Sequence, residues 1–350
     1  MYRYCFSILG SIFLIMFLIC VLPGCFESKI VENSGNISSI TPTKQAAPVT
    51  PVSPEPAEIK PVQETVPPSQ ILFLRINSKR SVPSDLYRDI WVMDSDGSNA
   101  VDLTKGAANV TSSDWSPDKS KIVFDSSGSI YLMSSDGSSI KRVSPDASIR
   151  YLPAWSPDSS KIASSKYFVT PCNEGSCSHY QLSISNQYGE EYTTVKFSPP
   201  DGYQVLPRWF SDSKRIAYLD FETGFYEIYS GDTVTGTIHK YNIEGNSSYM
   251  PWFSLSPDET RIAYSHDSSR DYSHAGREVF LFDIPTGETI QLTNNDYADD
   301  NPCFSPDGKQ IIFSSFGTTD ETSGMFIMDL ESKSTTKIPS QYGDMPMKWK

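Results

Sequence analysis

The sequence predicts an all-β fold, a ring of six four-stranded blades, and three observations carry that prediction. One unit recurs, an aromatic residue followed by Ser-Pro-Asp and a short β-rich run. It returns at intervals of about 40 to 55 residues, the span of four short strands and their turns. Composition agrees: 12 % of the residues are aromatic, with 19 Tyr and 18 Phe, and Ser, Asp, Gly and Pro are plentiful while Leu/Ala/Glu/Lys runs are scarce. Such a mixture makes strands and reversals rather than helices. Finally, the repetitive part begins and ends in fragments of a blade that complete each other.

The chain opens on an address. Met1 to Tyr4 carries one positive charge, Arg3, and Phe6 to Leu22 is almost uninterrupted apolar sequence, the charged and apolar regions of a secretory signal. Leu22-Pro23-Gly24-Cys25 then resembles a lipobox, in which a small residue precedes a cysteine that is acylated and becomes the mature N-terminus; Pro23 is an unusual occupant of its position. Residues 1–24 are expected to be a lipoprotein-type signal peptide and Cys25 the lipidated residue. An uncleaved transmembrane anchor is the alternative, because about 17 apolar residues is the lower limit for crossing a bilayer. Both readings export the rest of the chain to the cell envelope. Residues 25–69 are rich in Pro, Thr, Val and Glu with no apolar periodicity. They cannot bury a core, and they are expected to form a disordered, semi-rigid tether on the lipid anchor.

From Gln70 the repeats follow in order. Trp115-Ser116-Pro117-Asp118 leads into Lys121-Ile122-Val123-Phe124, and Trp155-Ser156-Pro157-Asp158 into Lys161-Ile162-Ala163. Trp209-Phe210-Ser211-Asp212 leads into Arg215-Ile216-Ala217-Tyr218, and Leu255-Ser256-Pro257-Asp258 into Arg261-Ile262-Ala263-Tyr264. Phe304-Ser305-Pro306-Asp307 leads into Gln310-Ile311-Ile312-Phe313. Pro presets φ for the second position of a tight turn, and Asp or Gly tolerates the next. A third strand follows, as in Ile130–Met133 and Val279–Asp283, and an Asp-Gly turn then leads to a short outer strand. Residues 70–350 begin with Gln70-Ile71-Leu72-Phe73, a second strand lacking its first. They close with Met345–Lys350, a first strand lacking its successor. Joining the two closes a six-bladed β-propeller and removes the exposed edges.

These units resemble the WD-like repeats of the TolB-type propellers, and the resemblance covers residues 70 to 350. It implies that the aromatic-Ser-Pro-Asp strand of each blade lines a central channel. The α/β domain that precedes the propeller in that family has no counterpart before Gln70, where the Pro-rich tether stands.

Catalytic signatures are not found. No Gly-x-Ser-x-Gly elbow, His-Glu-x-x-His or Gly-x-x-x-x-Gly-Lys occurs. Peptidases of the prolyl-oligopeptidase type pair a related propeller with an α/β-hydrolase domain, and no such domain is expected between the last repeat and Lys350. Of four histidines, His266 and His274 share a stretch with Asp267 and Asp271, but the spacing fits no familiar metal pattern. No cofactor and no metal are therefore expected. Cys172 and Cys177 flank a Gly-containing tip and are read as a disulfide in an exported hairpin, and Cys303 as a buried free thiol. A net charge of −13 argues against nucleic acid or an anionic membrane surface as a partner.

Long connections, Ile76–Arg88, Phe168–Tyr180, Ser265–Glu278 and Ser314–Gly324, fall on one face, opposite the short Ser-Pro-Asp and Asp-Gly turns. Loops on a rigid scaffold are where binding sites usually sit. Tyr151, Tyr203, Tyr249, Tyr297 and Tyr342 each precede an inner strand, accompanied by Asp299 and Asp300 and by Arg208 as a basic exception. They are the candidate ligand-binding residues, with packing between blades as the competing role for the tyrosines. The predicted function is non-catalytic binding of a protein, peptide or glycan on the loop-rich face. A propeller enzyme acting on a saccharide or lactone with a channel metal, and a structural platform in an envelope assembly, are the alternatives.

Overall fold

In the computed structural model, which describes residues 69–350 apart from 78–86, 107–108, 145–147, 173–174, 191, 196, 198–202, 223–224, 244–249 and 268–275, every regular element is a β-strand. Blade 1 holds β1 (Gln70–Ile76), β2 (Arg88–Asp94) and β3 (Val101–Asp102); blade 2 holds β4 (Val110–Trp115), β5 (Lys121–Ser126), β6 (Ser129–Ser134) and β7 (Lys141–Arg142). Blade 3 is β8 (Ile149–Trp155), β9 (Lys161–Cys172), β10 (Gly175–Asn186) and β11 (Thr193–Thr194). Blade 4 is β12 (Val205–Trp209), β13 (Arg215–Glu222), β14 (Phe225–Asp232) and β15 (Ile238–Lys240). Blade 5 is β16 (Phe253–Leu255), β17 (Arg261–Asp267), β18 (Arg277–Asp283) and β19 (Thr289–Gln291). Blade 6 is β20 (Asp299–Phe304), β21 (Gln310–Phe316), β22 (Ser323–Asp329) and β23 (Thr335–Lys337), and β24 (Met345–Trp349) follows.

Each blade is a four-stranded sheet, and the first has the order β24-β1-β2-β3. The last strand therefore completes the blade begun by the first three, as the sequence predicts. Gln70 and Lys350 exchange backbone hydrogen bonds of 2.5 and 2.8 Å at this seam, and the Trp349 indole N–H donates to the Ser69 hydroxyl at 2.8 Å. The core lies between blades rather than within them. Leu72, Leu74, Trp115, Ile122 and Met347 join blades 1 and 2, and Ile71, Phe73, Met325 and Trp349 join blades 6 and 1. Burying each such side chain is worth about 1.5–3 kcal/mol, which explains why the repeat keeps a large residue before its turn.

The turn itself is a small polar network. The Ser116 hydroxyl donates to Asp118 at 2.6 Å and accepts from the Lys121 amide at 2.9 Å, and Asp118 accepts from the Ser120 amide at 3.0 Å. Ser156, Ser256 and Ser305 repeat the pattern. The left-handed residue is the one after Asp: Lys119, Ser159, Ser213, Glu259 and Gly308, at φ 54–70°. The conformational tolerance that the sequence predicts for Asp is needed one residue later. Gly137 shows why the Asp-Gly turns need glycine twice over. Its φ is +84°, and a Cβ would lie 2.5 Å from the Leu103 carbonyl oxygen of the neighbouring blade.

Inner and outer strands solve opposite edge problems. The inner strands carry Pro153, Pro207, Pro302 and Pro346; facing the channel they have no neighbour on that side, so a missing N–H costs nothing. The outer strands are two or three residues long and display Lys141, Arg142, Lys240 and Lys337, charges that discourage pairing with another chain. Blade 3 departs from the rest. Its β9 and β10 have 12 residues each, against six to eight in the corresponding strands of the other blades, so this hairpin forms an arm beyond the loop face. Cys172 and Cys177 are disulfide-bonded near its tip, with Cα atoms 5.8 Å apart.

Candidate functional site

The inner strand of each blade aims one residue, the one just before the large strand-ending residue, into the channel. In chain order these are Asp114, Ala154, Arg208, Ser254, Cys303 and Lys348, and all six line a single cavity of about 410 Å³. Its rim is made of the short turns, including Pro117, Pro157, Ser211, Pro257 and Pro306, so it opens on the short-turn face. Five of the six tryptophans also border it, Trp115, Trp155, Trp209, Trp252 and Trp349. Four of these are packed between blades at 9 % exposure or less. Trp252 differs. It stands on blade 5 yet packs against the hydrophobic cluster of blades 1 and 2, so its ring spans the channel on the loop side of the six-residue layer.

The charges of the cavity are unequally matched. Asp114 accepts from the Trp155 amide at 2.9 Å and lies 3.7 Å from the Lys348 ammonium. Lys350 donates to the Trp115 and Ser116 carbonyls at 3.3 and 2.8 Å, and burial pulls its pKa down to about 8. Glu259, at the rim, pairs with Arg215 at 3.2 Å and accepts from the Ser211 amide. Arg208 donates to the Pro207 carbonyl at 3.0 Å and sits 6.0 Å from the Phe253 ring centroid. Burial lowers its pKa, with Asp114 acting in the opposite direction.

The residues singled out by sequence do not all meet. Tyr151 is buried, and desolvation pushes its phenol up to about 12. Tyr203 belongs to a run of rings across blades 3 and 4: Tyr167–Tyr180 at 5.3 Å, Tyr180–Tyr203 at 5.7 Å, Tyr203–Phe221 at 5.9 Å and Phe221–Tyr226 at 4.8 Å. Tyr297 is half-buried near Asp299, while Tyr342 is 61 % exposed and meets Phe316 edge-on. Asp299 is buried, accepts from Asn295 at 2.8 Å, and is pushed up to about 6 by desolvation. Asp300 accepts from Ser265 at 2.6 Å and pairs with Arg277. Cys25, Tyr249 and His274 lie outside the described residues. Arg208 is the candidate that faces the cavity. Of its partners in the layer only Cys303 is named by the sequence, on a strand expected to line the channel, although one signal marks them all: the position before the strand-ending residue.

A family model described as the TolB β-propeller domain matches residues 164–338, half of the chain. The chain belongs to the TolB β-propeller family. The Tol-Pal system protein TolB of Francisella tularensis is 36 % identical over 86 residues, which is 24 % of this chain and 18 % of that protein. The chain thus matches less than a fifth of the length of that curated relative. Among solved structures, TolB from Acinetobacter baumannii aligns with a TM-score of 0.59 at 19 % identity, covering 80 % of this chain and 67 % of that one. An oligogalacturonate lyase in complex with manganese aligns at 0.50 and 15 % identity, over 78 % and 74 % of the two chains. At these identities the shared property is the fold. The TolB-type match falls on blades 3 to 6, which supply Arg208, Ser254, Trp252 and Cys303 to the cavity.

Proposed function

We propose that this chain is an exported, envelope-tethered propeller that holds a protein partner in its central channel without transforming it. One observation carries the reading: all six blades converge on one cavity whose polar groups are suited to holding rather than reacting. Its side-chain carboxylates each hold a protein group, Asp114 accepting from the Trp155 amide and Glu259 pairing with Arg215. The naming of relatives for the Tol-Pal system supports a protein partner. Export rests on the apolar N-terminal segment, and lipidation at Cys25 on the lipobox-like Leu22–Cys25.

The test is crosslinking in intact cells with wild type and Ser254→Trp, a change that fills the cavity from a half-buried position. Wild type should capture a discrete protein and Ser254→Trp should not. Equal capture by both would remove the channel from consideration. A second reading has its own support in the blade 3 arm and the half-buried rings of Tyr167, Tyr203, Phe221 and Tyr226 at its base. Tyrosine offers an apolar face with a polar tip, a combination favoured at protein contacts. In that case Tyr203→Ala with Tyr226→Ala would abolish capture and Ser254→Trp would not.

A further inference from the structure

The cavity is cationic inside a strongly anionic chain. Its six-residue layer carries Arg208 and Lys348 against Asp114, and its walls add Glu259 and Lys350, an excess of one positive side chain in a chain whose net charge is −13. Asp114 accepts from the Trp155 amide and lies 3.7 Å from Lys348, and its charge is felt by Arg208 as well. Arg208 has five N–H donors. Its protein hydrogen bond is to the carbonyl of the preceding residue, and no described carboxylate lies within ion-pair distance of it. A guanidinium held away from bulk water without a counter-ion is costly, whereas one offered a carboxylate forms a paired, two-toothed contact. The side chain is not sealed in, since it keeps partial exposure to the cavity.

Two further features narrow the ligand. Trp252 spans the channel on its loop side, so an occupant enters from the short-turn mouth and stops; an end or a protruding side chain fits this better than a threaded chain. The faces of Trp115, Trp155, Trp209 and Trp349 are taken up by packing between blades. They leave little flat aromatic surface for stacking a sugar ring, and the mixture of small apolar walls with a cation suits a peptide. We propose that the cavity selects an acidic polypeptide end, with its carboxylate received by Arg208. This rests on the channel reading above and adds the chemistry that the partner must present.

The test is a titration of the full chain, followed by tryptophan fluorescence because five of its six tryptophans border the cavity. The probes are tetraglutamate, tetraglutamine and tetragalacturonate. Tetraglutamate should bind at least tenfold more tightly than tetraglutamine, and added salt should weaken it. Arg208→Gln should lower tetraglutamate affinity tenfold or more, and Arg208→Lys should fall between, because it keeps the charge and loses the planar fork. Arg208→Gln should also leave the melting temperature unchanged or raised, since it removes a desolvated charge. Should it fail to fold, the tetraglutamate-to-tetraglutamine ratio in wild type still decides. Equal binding of those two peptides, tighter binding of tetragalacturonate, or full affinity in a folded Arg208→Gln protein would each overturn the proposal. Failure of the underlying reading looks different: there Ser254→Trp would leave capture in cells intact.

Discussion

The two faces of the propeller use the same residue type in opposite electrostatic states. On the short-turn face Asp118, Asp258 and Asp307 are exposed, and each accepts a serine hydroxyl and a backbone amide that hold its carboxyl below the usual range, Asp118 at about 2. On the loop face Asp89, Asp125, Asp299 and Glu278 are buried, and desolvation raises them all. Turn carboxylates shape a reversal that water can still reach. Loop carboxylates replace missing ladder hydrogen bonds: Asp125 alone accepts from the Thr111, Ser112 and Leu152 amides and the Thr111 hydroxyl, at 2.6–3.0 Å. The loop face therefore spends its polar groups on structure. The short-turn face has its reversals fixed locally, which leaves the cavity at its centre free to carry a charge for something else.

Breaking the ring should have the largest effect. Removing residues 345–350 takes away β24 and the buried Met347 and Trp349. The loss should exceed about 5 kcal/mol, enough to abolish cooperative unfolding in a denaturant titration. Asp125→Ala comes next. It strands three backbone amides between blades 2 and 3 and should cost about 3–5 kcal/mol, read from the urea midpoint, with Asp125→Asn losing less than half as much.

The two carboxylate classes should separate with pH. Asp299 titrates in the folded state at about 6, above its ordinary 3.8, so the native state binds the extra proton between these values. Stability should rise by about 1.4 kcal/mol from this group as pH falls from 7 to 5, and approach about 3 kcal/mol only below pH 3.8. Asp118 lies below its ordinary value. Its contribution is present above about pH 4 and is lost as pH falls towards 2. Melting temperature should pass through a maximum near pH 4–5, and Asp299→Asn should flatten the neutral limb. A steady fall from pH 7 to 5 would contradict the assignment. The smallest effect is expected at the arm. Cys172→Ser with Cys177→Ser closes no long loop, so global stability should change by about 1 kcal/mol or less. Proteolysis within 168–179 should quicken.

Much of the fold was legible because each blade repeats the same local physics. Trp115, Trp155, Trp209, Leu255 and Phe304 mark the strand ends, and Ser-Pro-Asp marks all but one of the turns that follow them. Ring closure was legible from the complementary fragments at Gln70 and Met345. The cavity was not, for a reason built into the repeat. The lining position holds Asp, Ala, Arg, Ser, Cys and Lys in the six blades, so a search for what recurs passes over it. Register was the second obstacle. The inner strands shift between Tyr151 and Ala154, Val205 and Arg208, and Asp300 and Cys303, with Leu152, Leu206 and Asn301 in the left-handed region. Alternation counted from the turn fails beyond these bulges. Of the described tyrosines, Tyr151 lies inside β8 before its bulge rather than ahead of the strand, while Tyr203, Tyr297 and Tyr342 come before β12, β20 and β24, and they go to separate places.

Site-specific photocrosslinking on the two faces tests the channel most directly. A photoreactive residue at Ser211, exposed on the cavity rim, should give a discrete crosslinked protein in intact cells. The same residue at Val169, 51 % exposed on the blade 3 arm, should give none. A partner captured from Val169 and not from Ser211 would move the binding site to the loop face and contradict the channel reading.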